Sequence, residues 1–167
     1  MKYRDRLLQK ILFQIIPSGP YGDLKRGALY KKYLKNCGKN FKVAEQAFIF
    51  SPELLDSGDD VYIGFGSYLG NGSIILGNQV LIGNHVSITP SNHLRKDKSF
   101  RFGGSKNDGV VINEGAWIAA HSCILAGVTI GKGALVAAGS IVTSNIPDFV
   151  LVAGAPAKII KELDENG

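Results

Sequence analysis

Three histidines, His85, His93 and His121, are the side chains here best suited to moving a proton near neutral pH. An alcohol is barely ionised there, so chemistry at a hydroxyl needs a base, and imidazole titrates in the right range. His93 stands in Ser91-Asn92-His93, where a charged, glycine-rich stretch begins; spacing alone fits a general base and a solvated loop histidine equally. His85, in Gly83-Asn84-His85-Val86, reads first as a surface polar residue, and His121, in Ala119-Ala120-His121-Ser122, occupies an equivalent turn. The two cysteines, Cys37 and Cys123, lack metal-ligand spacing, and Cys123 beside Ile124 reads as a reduced, buried thiol. No Walker-type or dinucleotide glycine motif and no Gly-x-Ser-x-Gly elbow occurs, so nucleotide hydrolysis and serine-hydrolase chemistry have no support.

The elements that must hold these residues follow from a repeat. Ile112, Ile118, Ile124, Ile130, Val136 and Val142 recur every six residues, and four residues after each stands Ala116, Ser122, Val128, Ala134, Ser140 or Ile146. A helix would repeat near 3.6 and a half-buried strand near 2, whereas a hexad marks short parallel strands stacked coil upon coil, the aliphatic inward and the small residue near the corner. Looser hexads run earlier through Val43, Ile49 and Leu55, then Ile63 and Leu69, then Leu76, Ile82 and Ile88, which makes fourteen in all. Three strands per coil then predict about four to five coils, each rising about 4.8 Å. Residues 89–110 leave the pattern as a charged, glycine-rich loop, and a long insertion in a compact repeat is more often functional than idle.

Three segments carry a family resemblance: Gly115-Ala116-Trp117-Ile118, Gly127-Val128-Thr129-Ile130-Gly131, and Ala137-Ala138-Gly139-Ser140-Ile141-Val142-Thr143 leading to Val152-Ala153-Gly154-Ala155-Pro156-Ala157-Lys158. From about Phe41 to Leu163 the chain resembles the left-handed β-helix (hexapeptide-repeat) acyltransferases, most closely their sugar O-acetyltransferase branch. The implied class is all-β: a left-handed parallel β-helix with a short N-terminal helical segment and a C-terminal helix at 157–163.

The resemblance makes His93, 24 residues before Trp117, the base that takes the acceptor proton while the oxygen attacks the acetyl carbonyl and a backbone N–H stabilises the oxyanion. It makes acetyl-CoA the donor, with its pantetheine arm along Ala120 and Ala138, Thr143 following, and Lys158 and Lys161 toward the nucleotide phosphates. Trp117 touches the pantetheine arm or packs between subunits. Asn71, His85 and His121 are the acceptor-side candidates. Ser144 departs from the lysine usual after the threonine. No metal and no nucleic acid is expected, and the implied assembly is a homotrimer with sites between subunits. The function so implied is acetylation of a sugar hydroxyl in exopolysaccharide, capsule or O-antigen assembly, on a free or lipid-linked saccharide. Rivals are N-acetylation of an amino sugar, a xenobiotic acetyltransferase, a zinc-holding γ-carbonic anhydrase, whose histidine spacing differs from that found here, and a non-catalytic assembly platform.

At 167 residues and 45% hydrophobic, the chain suits one core with an appendage. Its net charge of +5 is unevenly spread, since residues 1–42 hold eleven basic and two acidic residues while the remainder holds eight and twelve. A basic amphipathic helix is expected over 2–16, ended by Pro17, a loop over 18–23, and a second basic helix over 24–34. Residues 1–42 therefore read as a cap on the β-helix or, through 1–35, as a peripheral membrane contact. The β-helix domain follows over 43–163, with 164–167 as a tail. No stretch approaches transmembrane length and no cleavage site follows the apolar N-terminal segment, so the expected place is the cytoplasm or the inner face of its membrane.

Overall fold

A computed structural model describes residues 15–164. The hexads fold as three parallel sheets that form the faces of a prism. Face one stacks Asn36–Cys37, Leu55–Ser57, Ile74–Leu76, Val110–Ile112 and Thr129–Ile130. Face two stacks Lys42–Val43, Tyr62–Ile63, Leu81–Ile82, Trp117–Ile118, Leu135–Val136 and Val150–Gly154. Face three stacks Phe48–Ile49, Tyr68–Leu69, Ser87–Ile88, Cys123–Ile124 and Ile141–Val142. Five complete coils and the start of a sixth result, with one strand more at each end than the hexad count gives, because Cys37 and Val152 also serve as rung positions.

The inward residues explain the architecture. Val43, Ile63, Ile82, Ile118, Val136 and Val152 form one ladder with no exposed surface. Each such aliphatic contributes about 1.5–3 kcal/mol by leaving water. The small positions are buried as well: Ala116, Ser122, Ala134 and Ser140 sit where the chain turns and a larger side chain would have no room. Backbone donors exposed by the turns are met from neighbouring coils. Asn78 Oδ1 accepts from the Asp59 N–H at 2.8 Å, and Asp148 Oδ1 accepts from the Lys132 N–H at 2.7 Å.

The N-terminal end is closed by helix α1, Pro20–Lys31. It begins at Pro20, inside the expected loop, because proline is pre-organised for a first helical turn. Tyr30 plugs the prism at 1% exposure and Arg26 Nε donates to the Val43 carbonyl at 2.9 Å. The helix expected over 2–16 lies, apart from its last two residues, outside the described residues.

Three expectations are corrected. The C-terminal helix over 157–163 is instead a strand, Ala157–Glu162, antiparallel to Val150–Gly154. The open edge of the last rung offers backbone partners, and the adjacent β-branched pair Ile159-Ile160 favours an extended chain. The loop over 89–110 is largely a hairpin arm, in which Ser91–His93 pairs antiparallel with Ser105–Asn107. Cys123 is half-buried on the outer side of face three rather than buried, because Ile124 takes the inward position and alternation turns its neighbour out.

Candidate functional site

The arm grows from the edge where face three turns into face one. Its neck is fixed: the Pro90 carbonyl accepts from the N–H groups of Asp108 at 3.1 Å and Gly109 at 3.0 Å. Asn107 Oδ1 accepts from the N–H groups of Ser73 at 3.3 Å and Gly109 at 3.1 Å. Three residues beyond Pro90, His93 faces Ser105 across the hairpin and is exposed. The Thr89 N–H and hydroxyl both donate to the Ile124 carbonyl, at 2.9 and 3.2 Å, which binds the outgoing chain to the next coil. His93 therefore stands on paired backbone held at its root, a firmer support than the loop expected from its composition.

Two other candidates share this edge. Asn71 lies in the turn one coil earlier, where its side-chain oxygen accepts from Ser51 Oγ at 2.7 Å, and Thr143 lies exposed in the turn two coils later. Beside the neck is an open cavity of about 240 Å³, lined by Ser73, Asn107, Asp108, Gly127 and Thr129 among others. Asp108 is paired with Lys106 at 2.6 Å there.

The remaining polar candidates occupy the edge between faces two and three. His85 and His121 hold the left-handed backbone of that turn, φ 55° and 60°, a conformation histidine tolerates better than most residues. Their rings stack with centroids 5.0 Å apart and planes 14° apart, and Phe65 meets His85 edge-on at 5.3 Å. Gly66, one coil earlier, makes room for this stack: a Cβ there would lie 2.5 Å from His85 Nδ1. Ala120 and Ala138 flank the same turn, and Gly139 continues the column with no side chain. A second cavity of about 430 Å³ opens nearby between the start of α1 and the first coils, lined by Ser18, Asp23, Lys42, Glu45, Tyr62 and Phe65 among others. Burial and the nearby Asp23 carboxylate raise the Tyr62 phenol above its ordinary pKa.

Trp117 points outward from the middle of face two, 44% exposed, between Leu81 and Leu135. Lys158 and Lys161 are exposed on the C-terminal strand beside that face, so they project from an extended chain and not from a helix. The candidates thus divide within one copy. His93, Asn71 and Thr143 share one edge, while His85, His121, Ala120 and Ala138 share another, with the tryptophan and lysines on face two. Phe65, Gly66 and Asn107 were not singled out from sequence. The first two precede the aligned positions by one coil, in a stretch where the hexad register had shifted, and Asn107 gave only the composition of a loop. Among the described residues, no group of three or more metal-ligating side chains occurs and no helix is long and apolar enough to cross a membrane.

Solved structures share this architecture. A hexapeptide-repeat acetyltransferase from Vibrio cholerae O1 biovar eltor, in complex with acetyl coenzyme A, superposes with a TM-score of 0.82 at 24% identity, over 97% of this chain and 86% of that one. Its fold is theirs, the left-handed β-helix of hexapeptide-repeat acetyltransferases. A maltose O-acetyltransferase from Clostridium difficile 630 gives a TM-score of 0.79 at 21% identity, over 97% of this chain and 88% of that one. In sequence, a 2,3,4,5-tetrahydropyridine-2,6-dicarboxylate N-acetyltransferase of Clostridium botulinum (strain Langeland) is 53% identical over 58 residues. That match spans 35% of this chain but only 25% of the relative. No protein-family model matches the chain.

Proposed function

We propose that this chain is an acetyl-CoA-dependent O-acetyltransferase acting on a sugar hydroxyl in exopolysaccharide, capsule or O-antigen assembly. The observation that carries the reading is His93, exposed on a rooted hairpin inserted into the left-handed β-helix that hexapeptide-repeat acetyltransferases share. In this reaction His93 takes the proton of the acceptor hydroxyl as its oxygen bonds to the acetyl carbonyl carbon. The tetrahedral intermediate collapses with cleavage of the carbon–sulfur bond, and the imidazolium returns the proton to the departing thiolate. A backbone N–H holds the intermediate's oxyanion.

Trp117, Ala120, Ala138 and Thr143 take the pantetheine arm of the donor, Lys158 and Lys161 its phosphates, and Asn71, His85 and His121 the acceptor. The division of these residues between two edges favours a homotrimer in which one copy's arm meets the next copy's histidine edge. Seated at the inner face of the cytoplasmic membrane, with residues 1–35 as the peripheral contact, such an enzyme would reach lipid-linked acceptors. Helix α1 forms the cap, and the catalytic domain runs from the rung at Asn36–Cys37 to residue 163.

A second reading, transfer to an amine, is favoured by the segment 53% identical to an N-acetyltransferase. The test is thiol release from acetyl-CoA with sugars, nucleotide-sugars, amino sugars and antibiotics, wild type against His93→Ala. Turnover of a sugar hydroxyl with a loss of roughly a hundredfold or more in the variant is the expected result. Turnover of amines alone moves the chain to the second reading, and full activity in His93→Ala removes the histidine from the mechanism.

A further inference from the structure

The arm differs in chemistry from the body that carries it. Residues 94–106 hold Arg95, Lys96, Lys98, Arg101 and Lys106 against a single acid, Asp97, whereas the rest of 43–167 holds three basic and eleven acidic residues. Among the described residues, Lys106 is the one arm cation in an ion pair. The arm also exposes Leu94 at 45%, Phe100 at 59% and Phe102 at 78%.

Backbone pairing explains that exposure. Leu94 N–H donates to the Gly104 carbonyl at 3.0 Å, and Lys96 and Ser99 exchange N–H···O bonds at 2.8 and 2.9 Å around a tight turn with positive φ at Asp97 and Lys98. Between these two rungs, Arg95 on one strand stands opposite all of Phe100 to Gly103 on the other. The longer side must bulge, and a bulge re-aims its side chains. Gly103 seats it against the Leu94 carbonyl, and Arg101 lies 5.5 Å from the Phe102 ring centroid. Two aromatic rings are thus held out among cations at the end of the hairpin.

We propose that this tip is a docking surface for a bilayer bearing anionic headgroups, with Phe100 and Phe102 at the boundary of headgroups and acyl chains and the surrounding cations on the lipid phosphates. Charge complementarity argues for this occupant. A negative surface attracts the arm and repels the acidic coils behind it, so within residues 43–167 contact is made by the tip, beside any made by the basic residues of 1–42, and aromatic rings mixed with basic side chains suit the interface. His93 is three residues from Lys96, roughly 10 Å along the strand. In the acetyl-transfer reading, docking therefore brings that histidine near a lipid-linked acceptor, although docking itself does not depend on that reading.

The test uses the full chain and sedimented vesicles of phosphatidylcholine with or without phosphatidylserine. The expected result is binding to the serine-lipid vesicles that weakens as salt rises. Phe100→Ser/Phe102→Ser and Arg95→Gln/Lys96→Gln/Lys98→Gln should each lower it by roughly tenfold or more while melting at the wild-type temperature. Absence of wild-type binding overturns the proposal. Unchanged binding in both variants also overturns it and assigns the lipid contact to the basic residues of 1–42. If the variants lose particle mass by light scattering while vesicle binding stays unchanged, the tip instead contacts a second copy. Thiol release with a soluble acceptor, measured on the same preparations, reports on acetyl transfer alone, so its failure leaves vesicle docking standing and the reverse.

Discussion

The rings of His85 and His121 lie nearly parallel and 5.0 Å apart although 36 residues separate them in the chain. The stack exists because both residues hold the same left-handed turn on adjacent coils and because Gly66 below leaves the space unfilled. Gly66→Ala places a methyl group on His85 at a backbone φ of 65° that alanine adopts only with strain. The His85 and His121 ring protons should shift in its NMR spectrum, and KM for the acceptor should rise several-fold with kcat held. Unmoved ring protons would show that the stack does not depend on this glycine.

Arg26 is the polar bolt of the N-terminal cap. At 1% exposure it is paired with Asp23 at 2.5 Å and donates to the carbonyls of Val43, Ile16 and Pro17. Arg26→Ala strands a buried carboxylate and several carbonyls, and chemical denaturation should show a loss of about 3–5 kcal/mol. Asp23→Asn/Arg26→Met should recover part of it, and a double variant no better than the single would argue against the pairing as the cause.

Tyr30 gives the cap an alkaline limit. Burial pushes its phenol up to about 12, opposed in part by the bond its oxygen accepts from the Ile49 N–H. The folded chain then holds the proton more tightly than the unfolded chain, whose tyrosine titrates near its ordinary value of 10.0. Stability from this group is complete below that value and falls as pH rises toward 12, by about 2–3 kcal/mol in all. Thermal melts across that window should fall less steeply for Tyr30→Phe than for wild type, and parallel slopes would contradict the assignment.

Ile118 occupies the middle of a ladder of fully buried aliphatics. Urea titration should register a loss of about 2–5 kcal/mol for Ile118→Ala and about 0.5–1.5 kcal/mol for Ile118→Val. A cost below that range for the alanine would mean that the coils close around the gap.

Much of the fold was legible because its rule is local. Each inward aliphatic from Ile112 to Val142 declares its own rung, and the turn character of His85 and His121 follows from their place in the count. Legibility failed where partners from elsewhere decide the structure. Ala157–Glu162 has a composition compatible with a helix, and the open edge at Val150–Gly154 makes it a strand. Ser91–His93 and Ser105–Asn107 are polar and charged, so no hydrophobic alternation announces their pairing. His93 could be picked out as a candidate, but its support could not, because the clamp at Pro90 and Asn107 joins residues that the count does not relate. Phe65 reaches the histidine column across the seven-residue step from Leu69 to Leu76, which breaks the count of six.

The arm also changes the order in which the prism can be assembled. On face two, 19 residues separate Ile63 from Ile82, but 36 separate Ile82 from Ile118, because the arm lies between those rungs. Closing a chain segment about twice as long costs only about 0.6 kcal/mol more, so the finished fold carries the insertion almost without penalty. The search for that contact is still the longest between successive rungs of the face, which divides the prism into two short-range blocks, coils one to three and coils four onward, joined at a single late seam. The arm's own sequence lies outside both blocks, so it is free to diverge in length and chemistry while the core beneath it continues to fold by nearest-neighbour stacking.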